Sequence, residues 1–190
     1  MKISQQIVGV NQRLGNTAVP NMQGTTRVIY DSQPMVASTN QSLTFFQGVS
    51  SRLFPLANVN SNRFEVGESL AIQYISFGCV IADPTSLASN ITESVSAGLT
   101  HSCALIFNLY IGNQRVIKDL DLNYSRFGIG EAYNPAAGKN VLHLETPIII
   151  PPQIEYYATI RVTATGNTST NRFYLFLGGT GTLLNTKSNF

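Results

Sequence analysis

The side chains best suited to acid–base, nucleophilic or metal chemistry are few in this 190-residue chain: two histidines, two cysteines and ten carboxylates. A serine or cysteine nucleophile needs an adjacent base and donors for the oxyanion. His143 lies between Leu142 and Leu144 in an apolar run and reads as an ordinary sheet residue, whereas His101 follows a loop at the start of a strand. "GESLA" (Gly67–Ala71) holds only the first half of a G-x-S-x-G motif, and it leads into a strand instead of following one. Zinc sites use clustered Cys and His, which Cys79 and Cys103, with 23 residues between them, do not supply. Both sit in apolar runs, "SFGCVIA" and "SCALIF", and read as buried thiols, with a single bridge between strands as the alternative. Asp119 and Asp121 alternate with leucines on one strand face. They would make half a calcium site, or a solvated face with arginine partners. No phosphate-cradling loop of the Walker or Rossmann kind is present. The expectation is a protein with no catalytic residues, no metal and no cofactor.

The surface chemistry is unusual. Charged residues make up 12% of the chain and the net charge is +2, about half the ~25% charged content of ordinary soluble proteins. Asn, Ser and Thr take the polar positions instead. A near-neutral exterior lacks the repulsion that keeps molecules apart, and it suits a surface covered by neighbouring subunits. Arg13, Arg27, Arg52, Arg63, Arg115, Arg126, Arg161 and Arg172 are spread singly. That spacing gives no nucleic-acid footprint and suits pairing between subunits. The first six residues turn polar too early for a signal peptide. No apolar run approaches the ~20 residues of a membrane span. The expected product is soluble and made in a reducing cytoplasm.

The elements that must position these groups read as strands. Residues 1–24 are rich in Gln, Asn and Gly with no sustained period, which predicts an extended arm ahead of a domain over 25–190. "TTRVIYD" and Leu43–Val49 read as strands, with a loop opened by Pro34 between them. In Arg63–Ala82 both parities are apolar, as for a central strand, and Gly67 and Gly78 predict a turn and a bulge or bend. Leu105, Phe107, Leu109 and Ile111 alternate ahead of Gly112-Asn113, which predicts a hairpin returning through Val116 to Leu120. Val141–Ile150 is a strand interrupted by Pro147, as at an edge or a bulge. Two further strands lie in "IEYYATIRVTATG" and "RFYLFLGGTGTLL", and long loops run over Asp83–Thr100 and Asn123–Asn140. About eight short strands of uneven spacing, with no long amphipathic helix, predict an all-β, antiparallel β-sandwich of Greek-key or jelly-roll kind.

The stretch "NVLHLETPIIIPPQIEYYATIRV" followed by "NRFYLFLGGTGTLLN" resembles the C-terminal strands of single jelly-roll bacteriophage virion proteins. Arg63–Phe77 is similar to a lead-in strand of that group, and the polar N-terminal arm is similar too. The resemblance spans residues ~40–190 by texture, 140–185 being its most specific part. It implies a single jelly roll and a structural role in a virion: capsid shell, vertex or head-decoration protein. Such a protein is made in the host cytoplasm and works by homo-oligomer assembly with itself and other virion proteins. The arm departs from shell proteins with strongly basic arms, since it carries only Lys2 and Arg13. The alternative is a carbohydrate- or receptor-binding jelly-roll module on a tail or fibre, using Tyr124, Phe127 and Tyr133, which share a loop with Arg126.

Overall fold

Eight strands follow one another along the chain: β1 (Met22–Met35), β2 (Gln41–Phe45), β3 (Ser69–Val80), β4 (Leu105–Ile111), β5 (Gln114–Asp121), β6 (Val141–Ile150), β7 (Tyr156–Val162) and β8 (Asn171–Leu184). The computed structural model describes residues 22–35, 40–52, 54–80, 105–122, 141–162 and 171–184. Among these the only helical piece is one 3₁₀ turn, Val49–Ser51. The strands form two antiparallel four-stranded sheets, ordered β1-β8-β3-β6 (the first sheet) and β2-β7-β4-β5 (the second). Every connection except the β4–β5 hairpin changes sheet. The pairs β1·β8, β2·β7, β3·β6 and β4·β5 are nested around that hairpin.

The sheets face each other in a sandwich-like arrangement across one apolar core. Ile29, Leu70, Ile72, Phe173 and Leu175 from the first sheet join Leu43, Phe45, Phe107, Leu109 and Ile160 from the second. Phe45 and Phe173 meet across the gap with ring centroids 5.9 Å apart. Phe77 stacks on Phe173 from the neighbouring strand at 5.9 Å. Period-two alternation produces this core directly in β7, where Tyr156, Ala158, Ile160 and Val162 are buried and the residues between them are not.

β3 departs from simple alternation. Its register against both β6 and β8 slips between Ile72 and Tyr74: against β8 Gln73 is an extra residue, and against β6 it stands opposite four. One inserted residue swaps the faces of everything after it. Leu70 and Ile72 therefore point into the core before the slip, and Ile75 and Phe77 after it. That is why both parities read as apolar in the sequence. The bulge lies at Gln73, not at Gly78. Opposite it, a Cβ on Gly179 would lie 2.0 Å from the Ala71 carbonyl oxygen, so only glycine fits there.

Other differences are small and local. β1 begins at Met22, so Met22–Gly24, read as arm, belong to the ladder with β8. Pro34 ends no strand, because the pairing continues through Met35. β2 stops at Phe45 instead of Val49, since Phe46 (φ 66°) and Gly48 (φ 61°) turn the chain out of the sheet. The β4–β5 hairpin turns at Gly112-Asn113 as expected, with Gly112 at φ 57°. β6 is an edge strand, and its residues Leu144–Pro147 stand opposite Gln73 alone, so Pro147 sits in a bulge on an edge. The long loops Asp83–Thr100 and Asn123–Asn140 lie outside the described residues, as do residues 1–21 of the arm.

Candidate functional site

Among the described residues, the groups that could do chemistry are not brought together. His143 lies exposed on edge strand β6, its ring 6.2 Å from that of Tyr74. Asp119 is exposed on β5 and pairs with Arg115 at 3.6 Å. Asp121 ends the same strand. The β3 backbone carries Cys79. His101, Cys103, Tyr124, Arg126, Phe127 and Tyr133 lie outside the described residues. Among the described residues no three of His, Cys, Asp and Glu are grouped to hold a metal, and no helix is long and apolar enough to cross a membrane.

Four of the spread arginines pair within their own chain, which corrects the expectation that they suit pairing between subunits. Arg27 binds Glu68 at 3.0 Å and lies over the Phe64 ring, 4.5 Å from its centroid. Arg52 binds Asp31, Arg63 binds Glu155 and Arg115 binds Asp119. The first two fasten the β2–β3 connection to β1, the third joins that connection to the β6–β7 connection, and the fourth lies within β5. Their planar donor fork suits such partly buried positions, which reading by spacing alone does not reveal.

The most elaborate polar cluster centres on Asp31, which the sequence reading passed over. Its side chain is fully buried at the inward parity of β1, two residues from core residue Ile29. The carboxylate accepts bonds from the Phe46 N–H (2.6 Å), the Ser32 N–H (2.8 Å), and the Arg52 Nε (2.8 Å) and Nη2 (2.7 Å). Arg52 Nη2 also donates to the Gln47 carbonyl. This cluster holds the left-handed turn at Phe46 and ties the end of β2 to β1. An Asp at the inward parity of an otherwise β-branched strand is the sequence signal that was available. Its role is architectural.

Among the described residues, the surface open to partners is the outside of the sheets and their edges. On the outer face of the first sheet Tyr30, Tyr174 and Phe176 cluster. Tyr30 and Phe176 centroids lie 5.4 Å apart, and Tyr174 and Phe176 6.2 Å. Burial first, and then the neighbouring Tyr174, pushes the Tyr30 hydroxyl above the usual tyrosine range. On the outer face of the second sheet Tyr110 and Tyr157 stack at 4.5 Å, spending one ring face of each on the other. At the other end of the same strands an open groove is lined by Asn40, Gln41, Ser42, Ile106, Arg161 and Val162.

Three of the four edge strands, β5, β6 and β1, are treated differently. β5 carries Arg115, Lys118, Asp119 and Asp121 and two register slips. The Asn108 side-chain oxygen holds the slip by accepting from the Asp119 N–H at 2.8 Å, with Asp119 at φ 47°. β6 has its proline and bulge. The C-terminal half of β1 is covered by the β2–β3 connection. Asn58 accepts from the Tyr30 N–H through Oδ1 (2.7 Å), donates its own N–H to the Tyr30 carbonyl (3.2 Å), and donates Nδ2 to the Val28 carbonyl (2.8 Å). Ser32 Oγ donates to the Leu56 carbonyl at 2.8 Å. Bulges, charge, proline and covering loops are the devices by which proteins keep sheet edges from pairing indiscriminately. Among the described residues, positions 22–27 of β1 carry no bulge, proline or covering loop, and their one charge, Arg27, is bound to Glu68.

No protein-family model, curated protein or solved structure matches the chain.

Proposed function

We propose that this chain is a non-enzymatic structural protein of a bacteriophage particle, built as a single jelly roll and acting through assembly with copies of itself and other virion proteins. The observation that carries the reading is the strand order, β1-β8-β3-β6 facing β2-β7-β4-β5, nested around one hairpin. An eight-stranded double sheet with this nesting is the order of a long hairpin rolled up on itself, and viral capsid domains are among its commonest users. The step from fold to role is an analogy. It gains weight from the scarcity of charge, 12% of residues, which suits faces that end up against neighbours. The Gln/Asn-rich residues 1–24 would link subunits, and the chain would act in the virion after synthesis in the host cytoplasm.

The test is the solution mass of the recombinant chain by light scattering, with electron microscopy of any assemblies, for the full chain and for a form lacking residues 1–24. A discrete oligomer, ring or shell fragment supports the reading. A folded chain that stays strictly monomeric and binds no component of a particle overturns it.

A further inference from the structure

The Asn58 contacts fix which backbone groups of β1 point away from its partner β8. Tyr30 N–H, Tyr30 C=O and Val28 C=O point outward, because Asn58 takes all three. In an antiparallel strand such groups recur at every second residue. Thr26 and Gly24 therefore turn their N–H and C=O outward as well, along with the Val28 N–H. The pairing of β1 with β8 is regular over its whole length, from Met22↔Leu184 to Met35↔Asn171, with no bulge to twist this edge aside. Val28 is 37% exposed beside it.

We infer that residues Gly24–Val28 pair, antiparallel and about a two-fold axis at Thr26, with the same residues of a second copy of this chain. This deepens the assembly reading above and rests on it. The segment is complementary to itself. Thr26 would exchange both backbone bonds with Thr26 of the second copy, and the Gly24 carbonyl would accept from the Val28 N–H on either side, the Val28 carbonyl being held by Asn58. Threonines opposed across a ladder are a favourable pair. The one charge in the segment, Arg27, is already bound to Glu68 and would stand opposite Thr25, so no like charges meet. Pairing ends where Asn58 covers Tyr30, which limits the interface to one register and keeps it from extending along the edge. The first sheet becomes one eight-stranded sheet across the dimer, with the Tyr30–Phe176 cluster on its outer face in both copies. An antiparallel strand pair closes as a two-fold dimer and leaves the other faces of each copy for further contacts.

The test compares wild type, Thr26→Pro and Thr26→Lys by sedimentation over a hundredfold range of concentration, with circular dichroism to verify folding. Proline removes the outward N–H without touching the ladder to β8. Lysine keeps the backbone and places charge against charge at the two-fold axis. A wild-type dimer or larger even-numbered assembly that dissociates at least tenfold more readily in either folded variant is the expected result. Thr26→Cys should also give a disulfide-linked dimer joined at residue 26 on mild oxidation, identified by mass spectrometry, while Ser42→Cys should not. Oligomers unchanged in both variants, with no linkage at residue 26, overturn the inference and leave the assembly reading standing. A wild type that is monomeric throughout overturns both. A monomer whose Thr26 amide is protected from hydrogen exchange gives this edge to the chain's own residues and also overturns the inference.

Discussion

Asp31 and Tyr156 are both fully buried polar side chains in the same core, and the fold treats them in opposite ways. Asp31 receives four donors. The Tyr156 hydroxyl has no hydrogen-bond partner among the described residues, although its ring is packed between Phe46 at 5.5 Å and Phe64 at 5.1 Å. A buried carboxylate without partners would cost far more than folding can spare, so the chain arranges a turn, an arginine and two amides around it. A hydroxyl at the tip of a large ring costs much less, and the ring's packing offsets it. One group organises the backbone, and the other merely accompanies its ring.

The sharpest way to break this contrast is Asp31→Ala. It leaves the Arg52 guanidinium and the Phe46 amide without their acceptor, and should cost about 3–5 kcal/mol, read as a lower urea midpoint. Asp31→Asn retains an acceptor for Phe46 N–H but gives up the charge facing Arg52. Its loss should be smaller, about 1–3 kcal/mol, and the order of the two variants is the informative result. Glu155→Gln breaks a pair with Arg63 in which both side chains are more than half exposed. Solvent screening should hold that loss to at most ~1 kcal/mol, and it should not grow when salt is lowered to the point of rivalling Asp31→Asn. The smallest effect belongs to Tyr156→Phe, which removes an unpartnered hydroxyl and keeps the ring. Stability at neutral pH should be unchanged or slightly raised.

Tyr156→Phe has a second, pH-dependent signature. Burial, the largest influence, pushes the Tyr156 hydroxyl far above the ordinary tyrosine range, with Asp31 and Glu68 adding to this and Arg27 opposing it. The unfolded chain then gives up that proton first, near pH ~10. Stability is therefore intact below about 10 and falls as pH rises beyond it. Denaturation midpoints on either side of about pH 10 should fall less steeply in Tyr156→Phe than in wild type. Parallel slopes would mean that the hydroxyl ionises as easily folded as unfolded.

Much of the strand framework was legible because its signals are local. Leu105, Phe107 and Leu109 alternate ahead of Gly112-Asn113, and the hairpin follows from those residues alone. Pro147 cannot donate to a ladder, so it marked an edge. What escaped reading depends on single residues acting across the fold. Gln73 carries no sign that it is the extra residue in β3, yet it reverses the faces of Ile75 and Phe77. Asp31 and Arg52 are separated by a strand and a turn, and no spacing rule connects them. The proposed assembly surface was legible only as a shortage of charge. Which edge is open depends on where Asn58 lands, and that is decided by the whole β2–β3 connection.

The nested pairing also orders events in time. Only the β4–β5 hairpin closes between sequence neighbours, and each further pair, out to β1 with β8, spans a longer stretch of chain. Loop closure of that kind makes folding slow and places the most distant pairing late. During synthesis β1 leaves the ribosome first and its partner β8 leaves last of the eight, so for that interval β1 has two open edges instead of one. Crowded nascent chains on one messenger would then find each other's β1 strands before their own β8. Spacing ribosomes further apart by slowing initiation should raise the yield of correctly folded chain without any change to its sequence, whereas slowing elongation, which lengthens that interval, should lower it.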